Sequence, residues 1–346
     1  MTSTLKSAFP LKGNTRLLRV NINILAQPKL SPHLMCIALL ILLTGCVNTA
    51  SINCNLPPQH QWANTAQIIQ DIRTFTSTEF SGRKTGTQGA ISSQQYLAQR
   101  FTDIGLIPWQ QSFSVTFNYQ YQFSQQQGVN MIGIIPSRVP SNRWRVITAH
   151  YDHLGQQGKR IFHGADDNAS GVAGLLAIAQ QWQLTGLQDI NLMLVATDAE
   201  EPGLYGSYGL VEQIMATPDM EVELAMNLDM IGHPSRPRAI YIEGEQNFSH
   251  FSQTQAWLSQ QHQMCIRLSY SKFNTAGIKR MNWLKASDHY PFHKAGIPWI
   301  YFGVPPHSKY HTVDDTIDTL NIDFLTSVTE MAFSFITQTN IQLKAK

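Results

Sequence analysis

Apolar residues recur at helical spacing over residues 63–78 and 87–105, as in Ile68, Ile69, Ile72 and Phe75. Residues 112–123 alternate apolar with polar positions and carry aromatics, which predicts a strand. From there strand-like and helix-like segments interleave. Residues 129–135, 145–150, 190–197, 223–230, 240–243 and 298–304 read as strands, and residues 170–183, 207–215, 249–263 and 324–337 as helices. Interleaving of this kind predicts a three-layer α/β/α fold with a mixed, mostly parallel central sheet. No internal repeat, low-complexity tract or second linker breaks the pattern, so a single domain over residues 63–343 is expected. Ligands of such sheets sit beyond the carboxyl ends of the strands. The residues that follow each strand are therefore the first place to look for chemistry.

The start of the chain has a different pattern. Residues 1–45 carry Lys6, Lys12, Arg16, Arg19 and Lys29 and no acid, and an apolar run follows from Leu34 to Leu43. That run is about half of the roughly 20 residues a helix needs to span a bilayer. A basic flank before a short apolar core is the layout of a secretory signal. The run ends in Leu43-Thr44-Gly45-Cys46, which resembles a bacterial lipobox, with cleavage before Cys46 and lipidation of its thiol. The expectation is a signal peptide over residues 1–45, then a polar tether over residues 46–62 containing Pro57-Pro58. The basic flank is longer than usual, which leaves a start downstream of Met1 open. Residue 47 is Val rather than Asp, resembling the pattern of lipoproteins sent to the outer membrane. The implied location is the bacterial cell envelope, lipid-anchored at the periplasmic face of the outer membrane, with no spanning helix needed.

Composition refines this picture. The chain has 346 residues, with 43% hydrophobic and only 14% charged, against about 25% charged in an average globular protein. This excludes an intrinsically disordered chain, a collagen and a coiled coil. The formal net charge is +2. Removing the five cations of residues 1–45 leaves −3, so the basicity belongs to the address. No basic stripe speaks for nucleic acid. Cys54 and Cys265 remain downstream of Cys46. An oxidising compartment would permit a bridge between them; two unpaired thiols are the expectation, with the bridge left open.

Five strand or loop ends deliver carboxylate or imidazole: His150-Tyr151-Asp152-His153, the run from Gly164 through Asp166-Asp167-Asn168 to Gly171, Asp198-Ala199-Glu200-Glu201, Asn227-Leu228-Asp229, and Tyr310-His311 with Asp314-Asp315. Imidazole with carboxylate and no thiolate suits catalytic zinc. The ordered set H-x-D, G-A-x-D-N-x-S-G, E-E-x-G-L-x-G-S, N-L-D, S-D-H-x-P-F and Y-H-T-x-x-D-T resembles the co-catalytic di-zinc aminopeptidases of clan MH, the bacterial leucyl-aminopeptidase-like enzymes. The Ser81-Gly82-Arg83 stretch resembles their N-terminal signature, and the likeness extends from about Phe80 to the C-terminus.

The resemblance implies two Zn2+ per chain. Asp167 would bridge them, His150 and Asp229 would complete one site, and Glu201 and His311 the other. Glu200 would be the general base, and the Asp167–Asn168 peptide bond would be cis. The chemistry agrees on its own terms. Peptide hydrolysis needs hydroxide at neutral pH, which zinc provides by lowering the pKa of water to about 7, and a free carboxylate must move the proton. Glu200 and Glu201 diverge in extended chain, so one can ligate while the other faces substrate. Asp152 could orient His150, Asp315 could orient His311, and Tyr310 could hydrogen-bond a developing oxyanion.

Other readings stand beside this one. His153 reads as structural or supporting, and most other histidines have no partner that sequence can name. Ser287-Asp288-His289 has the letters of a serine triad, but three consecutive residues cannot form its relay, so a packing role is expected. The expected function is an aminopeptidase acting on peptide substrates. The alternatives are a single-zinc glutaminyl cyclase-like enzyme, which His150, Asp152 and Asp229 argue against, and a non-catalytic binding lipoprotein. Side-chain preference, native metal and oligomeric state stay open.

Overall fold

The computed structural model describes residues 53–54, 58–234, 238–268, 282–339 and 343–344. Residues 52–346 form one unit. The signal segment and Cys46 lie outside the described residues, and no helix among those described is long and apolar enough to cross a membrane.

Two helices open the domain, α1 (Thr65–Phe75) and α2 (Gln88–Ile104). Each starts where a side chain caps it: Asn64 accepts the Gln67 N–H and Thr87 that of Ala90. Nine strands then build one sheet: β1 (Ile107–Pro108), β2 (Ser114–Tyr121), β3 (Ser124–Ile135), β4 (Arg143–His150), β7 (Asn191–Thr197), β8 (Glu221–Asp229), β9 (Ala239–Glu243), β10 (Cys265–Leu268) and β11 (Trp299–Gly303). A two-residue ribbon, β5 (Gln156–Gln157) with β6 (Arg160–Ile161), stands apart. The order across the sheet is β1-β3-β7-β4-β8-β11-β9-β10, with β2 also pairing β3. The central four, β7-β4-β8-β11, run parallel. Antiparallel joins flank them, at β3–β7 on one side and β9–β11 on the other.

Successive residues of the central strands face opposite layers, as the period-2 geometry of a strand requires. Leu192, Leu194 and Ile147 point into a large core, which collects α1, α2, α3 (Gly171–Thr185), α5 (Phe251–His262) and α7 (Ile322–Ile336). Met193, Val195 and Val146 point into a smaller one under α4 (Tyr205–Ala216) and α6 (His289–Lys294). Both faces are covered, so β7 is buried at every position, as a doubly covered parallel strand must be.

Two expectations need correction. Cys54 and Cys265 are joined by a disulfide with 5.4 Å between Cα atoms, not left as free thiols. The pairing spans 211 residues, a separation that no local pattern can foresee. The described end of the predicted tether is also docked on the domain. The N–H groups of Gln61, Trp62 and Ala63 all donate to Glu330 of α7 at 2.6–2.8 Å, and Trp62 packs edge-on to Phe333.

Candidate metal centre

Parallel strands end together, and here they end in ligand chemistry. Thr197 closes β7, His150 β4, Asp229 β8 and Gly303 β11. The loop after β7 brings Glu200 and Glu201, the turn before α3 brings Asp167, and the segment after β11 brings Tyr310 and His311. Two groups of donors converge there, one of His150, Asp167 and Asp229, the other of His153, Asp167 and Glu201, so Asp167 belongs to both.

The spacings fit zinc. His150 Nε2 lies 3.3 Å from Asp167 Oδ1 and 3.3 Å from Asp229 Oδ1. His311 Nε2 lies 3.1 Å from Asp167 Oδ2 and 3.1 Å from Glu201 Oε2. Two donors at zinc bonding distance on a tetrahedral ion stand about 3.3 Å apart. Asp167 Oδ2 and His311 Nε2 are buried and make no hydrogen bond. Buried polar atoms that converge without partners ask for an ion between them. Each oxygen of Asp167 serves a different group, which is the geometry of a bridging carboxylate.

The surroundings hold these side chains at their angles. The Asp167–Asn168 peptide bond is cis. Asn168 is tied on every side, its amide N–H to Leu228 O and its oxygen to the N–H groups of Gly171 and Met230. Arg83 is fully buried and donates to four carbonyls, of Phe75, Tyr151, His163 and Gly164, gathering the loops that carry His150 and Asp167. Burial lowers its pKa to about 10, opposed by Asp167 and Asp315, so it stays a cation beneath the acidic cluster. The sequence places Arg83 within a signature and gives it no role; beside Lys84 in a Gly-rich turn, it is not singled out.

Asp152 and Asp315 stand close by but reach differently from what their spacing suggests. His150 Nδ1 is 3.1 Å from the main-chain carbonyl of Asp152 and 3.8 Å from its carboxylate. That carboxylate instead accepts the N–H groups of Glu200, at 3.1 Å, and Glu201, at 3.4 Å. Asp315 accepts the N–H groups of Asp166 and Asp167 and so supports Asp167 rather than His311. The Tyr310 ring stacks on His311 with centroids 3.8 Å apart.

The charged groups of the site act on one another. Burial pushes Asp167 up, but the imidazoles of His150, His311 and His153 outweigh it and hold it well below the usual carboxyl range. Burial and Asp167 push Glu201 up, yet His153 and His311 bring it below normal. Glu200 is raised well above its usual range, by burial first and then by Asp229, Glu201 and Asp288, with His150 opposing. Two divalent ions would pull it back down.

Ser287, Asp288 and His289 face three ways. Ser287 Oγ accepts from Asn227, Asp288 from Thr197 Oγ1, and His289 Nε2 donates to Trp283 O. Burial lowers the His289 pKa to about 3, so it is a neutral packing ring stacked on Trp299. His163 and His262, which sequence could not pair, fasten to Thr76 O and Ser334 Oγ.

Comparison with known proteins agrees with this geometry. Residues 130–336 match the model of peptidase family M28. Aminopeptidase YwaD of Bacillus subtilis is 29% identical over 209 residues, covering 57% of this chain and 41% of its own length; the chain thus spans less than half of that curated relative. Among solved structures, the Legionella pneumophila LapA aminopeptidase superposes with a TM-score of 0.62 at 19% identity, over 82% of this chain and 73% of its own. A glutaminyl cyclase from Fimbriiglobus ruber superposes with a TM-score of 0.61 at 18% identity, over 81% of this chain and 96% of its own.

Proposed function

The chain belongs to peptidase family M28, and on that premise we propose that it is a co-catalytic di-zinc aminopeptidase that removes N-terminal residues from peptides. The observation that carries this reading is the pair of donor sets at 3.1–3.3 Å spacing on one shared Asp167. His150, Asp167 and Asp229 would hold one ion, and Asp167, Glu201 and His311 the other. When bound, the ions supply Lewis acidity, acidifying water and polarising a carbonyl. Glu200 takes a proton from the attacking water and returns it to the leaving amine. Tyr310, whose pKa burial raises, stays a protonated donor and hydrogen-bonds the oxygen where negative charge develops. Asp152 holds the main chain of Glu200 and Glu201, so base and ligand keep their relative positions.

The protein would work at the cell envelope, lipid-anchored through Cys46 at the periplasmic face of the outer membrane. Supporting this are the basic flank, short apolar run and Cys46 of the sequence, and the Cys54–Cys265 disulfide, which belongs in an oxidising compartment.

Elemental analysis of the purified protein, paired with assays on peptides, tests the proposal. About two zinc ions per chain, with release of N-terminal residues that a chelator stops and zinc restores, is the expected result. One ion, with ammonia lost from a Gln-initiated peptide, would instead identify a cyclase. No metal uptake at all would remove the catalytic reading.

A further inference from the structure

His153 is absent from the ligand set the resemblance implies, yet it faces that set. Its Nδ1 lies 2.7 Å from Glu201 Oε1 and 3.7 Å from Asp167 Oδ2. The first distance is shorter than the roughly 3.3 Å between two donors on one zinc ion, and it is a normal charge-assisted hydrogen bond. His311 Nε2, at 3.1 Å from both carboxylates, has the spacing of a co-ligand. The two imidazoles thus hold opposite oxygens of Glu201, His153 at Oε1 and His311 at Oε2.

We propose that His153 is the positioning residue of the second ion's site: by donating Nδ1–H to Glu201 Oε1 it fixes Oε2 as the oxygen lent to the metal. The proposal rests on the two-ion reading above. A slot is built for the ring. His153 has no exposed surface, and a Cβ at Gly164 would stand 2.6 Å from its Cγ and Cδ2, so only glycine there leaves room. Gly164 also has φ +57°, a conformation glycine adopts without strain. The ring's other nitrogen, Nε2, is buried and makes no hydrogen bond. An ordinary core histidine would satisfy both nitrogens; this one engages a single partner, and that partner is a metal-site carboxylate. Without the Nδ1–H bond, Glu201 keeps its main-chain tie to Asp152, but its carboxylate is free to rotate or to offer both oxygens. Supporting partners of this kind typically contribute 10–100-fold to metal affinity.

The test is cobalt titration of the metal-stripped protein, followed by calorimetry and by the visible absorption of each bound equivalent. Wild type should take two ions in distinguishable steps. His153→Ala should keep the first step and weaken the second 10–100-fold, and His153→Asn, which retains an N–H donor near Nδ1, should recover most of the loss. The first step serves as the control for folding. Unchanged second-ion affinity in His153→Ala overturns the proposal. So does a failed rescue in His153→Asn with a second-ion spectrum that has lost an imidazole, which would make His153 a direct ligand. Fewer than two ions in wild type would overturn the two-ion reading itself, and this proposal with it.

Discussion

Glu200 and Glu201 are adjacent in the chain but respond to different neighbours. His150 and Asp229 act most strongly on Glu200, whereas Asp167, His153 and His311 act on Glu201. On the proposed reading, that division separates a proton carrier from a metal ligand within two residues. Glu200→Gln should therefore retain both zinc ions by elemental analysis while kcat falls roughly 10²–10⁴-fold, the usual contribution of a positioned base. Loss of an ion in that variant would instead make Glu200 a ligand. Asp152 gives a second lesson at this scale. Its place two residues after His150 suggests a carboxylate on the imidazole, but the nearer group is its own main-chain carbonyl, which frees the carboxylate to hold the Glu200–Glu201 main chain.

At the scale of elements, strand boundaries agree with the hydrophobic pattern to within one or two residues for the central strands. Those strands are buried on both faces, and long apolar runs between turns give little room for error. The small edge elements escaped: β1 is two residues long, too short for any period to register, and β10 is four. The N-terminal arm escaped for another reason. Residues 58–62 look mostly polar, and what fastens their main chain is a buried carboxylate on α7, some 270 residues away. Glu330 is 1% exposed and collects three successive N–H groups. An amide there puts its own N–H groups among the donors. Glu330→Gln should cost about 3 kcal/mol, read as a lower Tm, with faster amide hydrogen exchange at residues 61–63 and unchanged exchange in β4 and β7.

Among the described residues, buried carboxylates gather at one end of the sheet. Asp152, Asp167, Glu200, Glu201 and Asp229 converge there, with buried Arg83 as a compensating cation. Ions that bind the folded chain stabilise it by about 4 kcal/mol at 1,000 times Kd. Chelation should therefore lower Tm by several degrees, and zinc should restore it; a Tm indifferent to chelator would count against resident metal. A second titration lies away from that site. Glu243 is buried on β9 with one oxygen unpartnered. Burial, then Glu245, pushes its pKa from 4.5 to about 7. A carboxyl raised in this way keeps its proton longer in the folded chain than in the unfolded one. Its stability contribution is intact below pH about 4.5 and is lost as pH rises through about 7. Glu243→Gln should flatten that decline, raising stability at neutral pH by on the order of 2 kcal/mol with little change at pH 4. Equal pH profiles for the two proteins would place the titration elsewhere.

What the sequence determined by itself was periodic and local. Alternation along residues 112–123 and apolar runs such as 190–197 set the strands, helical spacing set α1, α2 and α7, and both together set a three-layer architecture. The ligand types were legible because each stands at the end of a strand or in a loop at that end of the sheet, and parallel strands bring such ends together. Tertiary structure alone decided the rest. It put Cys54 beside Cys265, Glu330 beneath Gln61–Ala63, Arg83 among four carbonyls and His153 against Glu201. These contacts leave little local trace, because most of them join segments far apart in the chain through one or two side chains. Which oxygen of Asp167 faces which imidazole depends on the side-chain torsion of Asp167, and only packing fixes that.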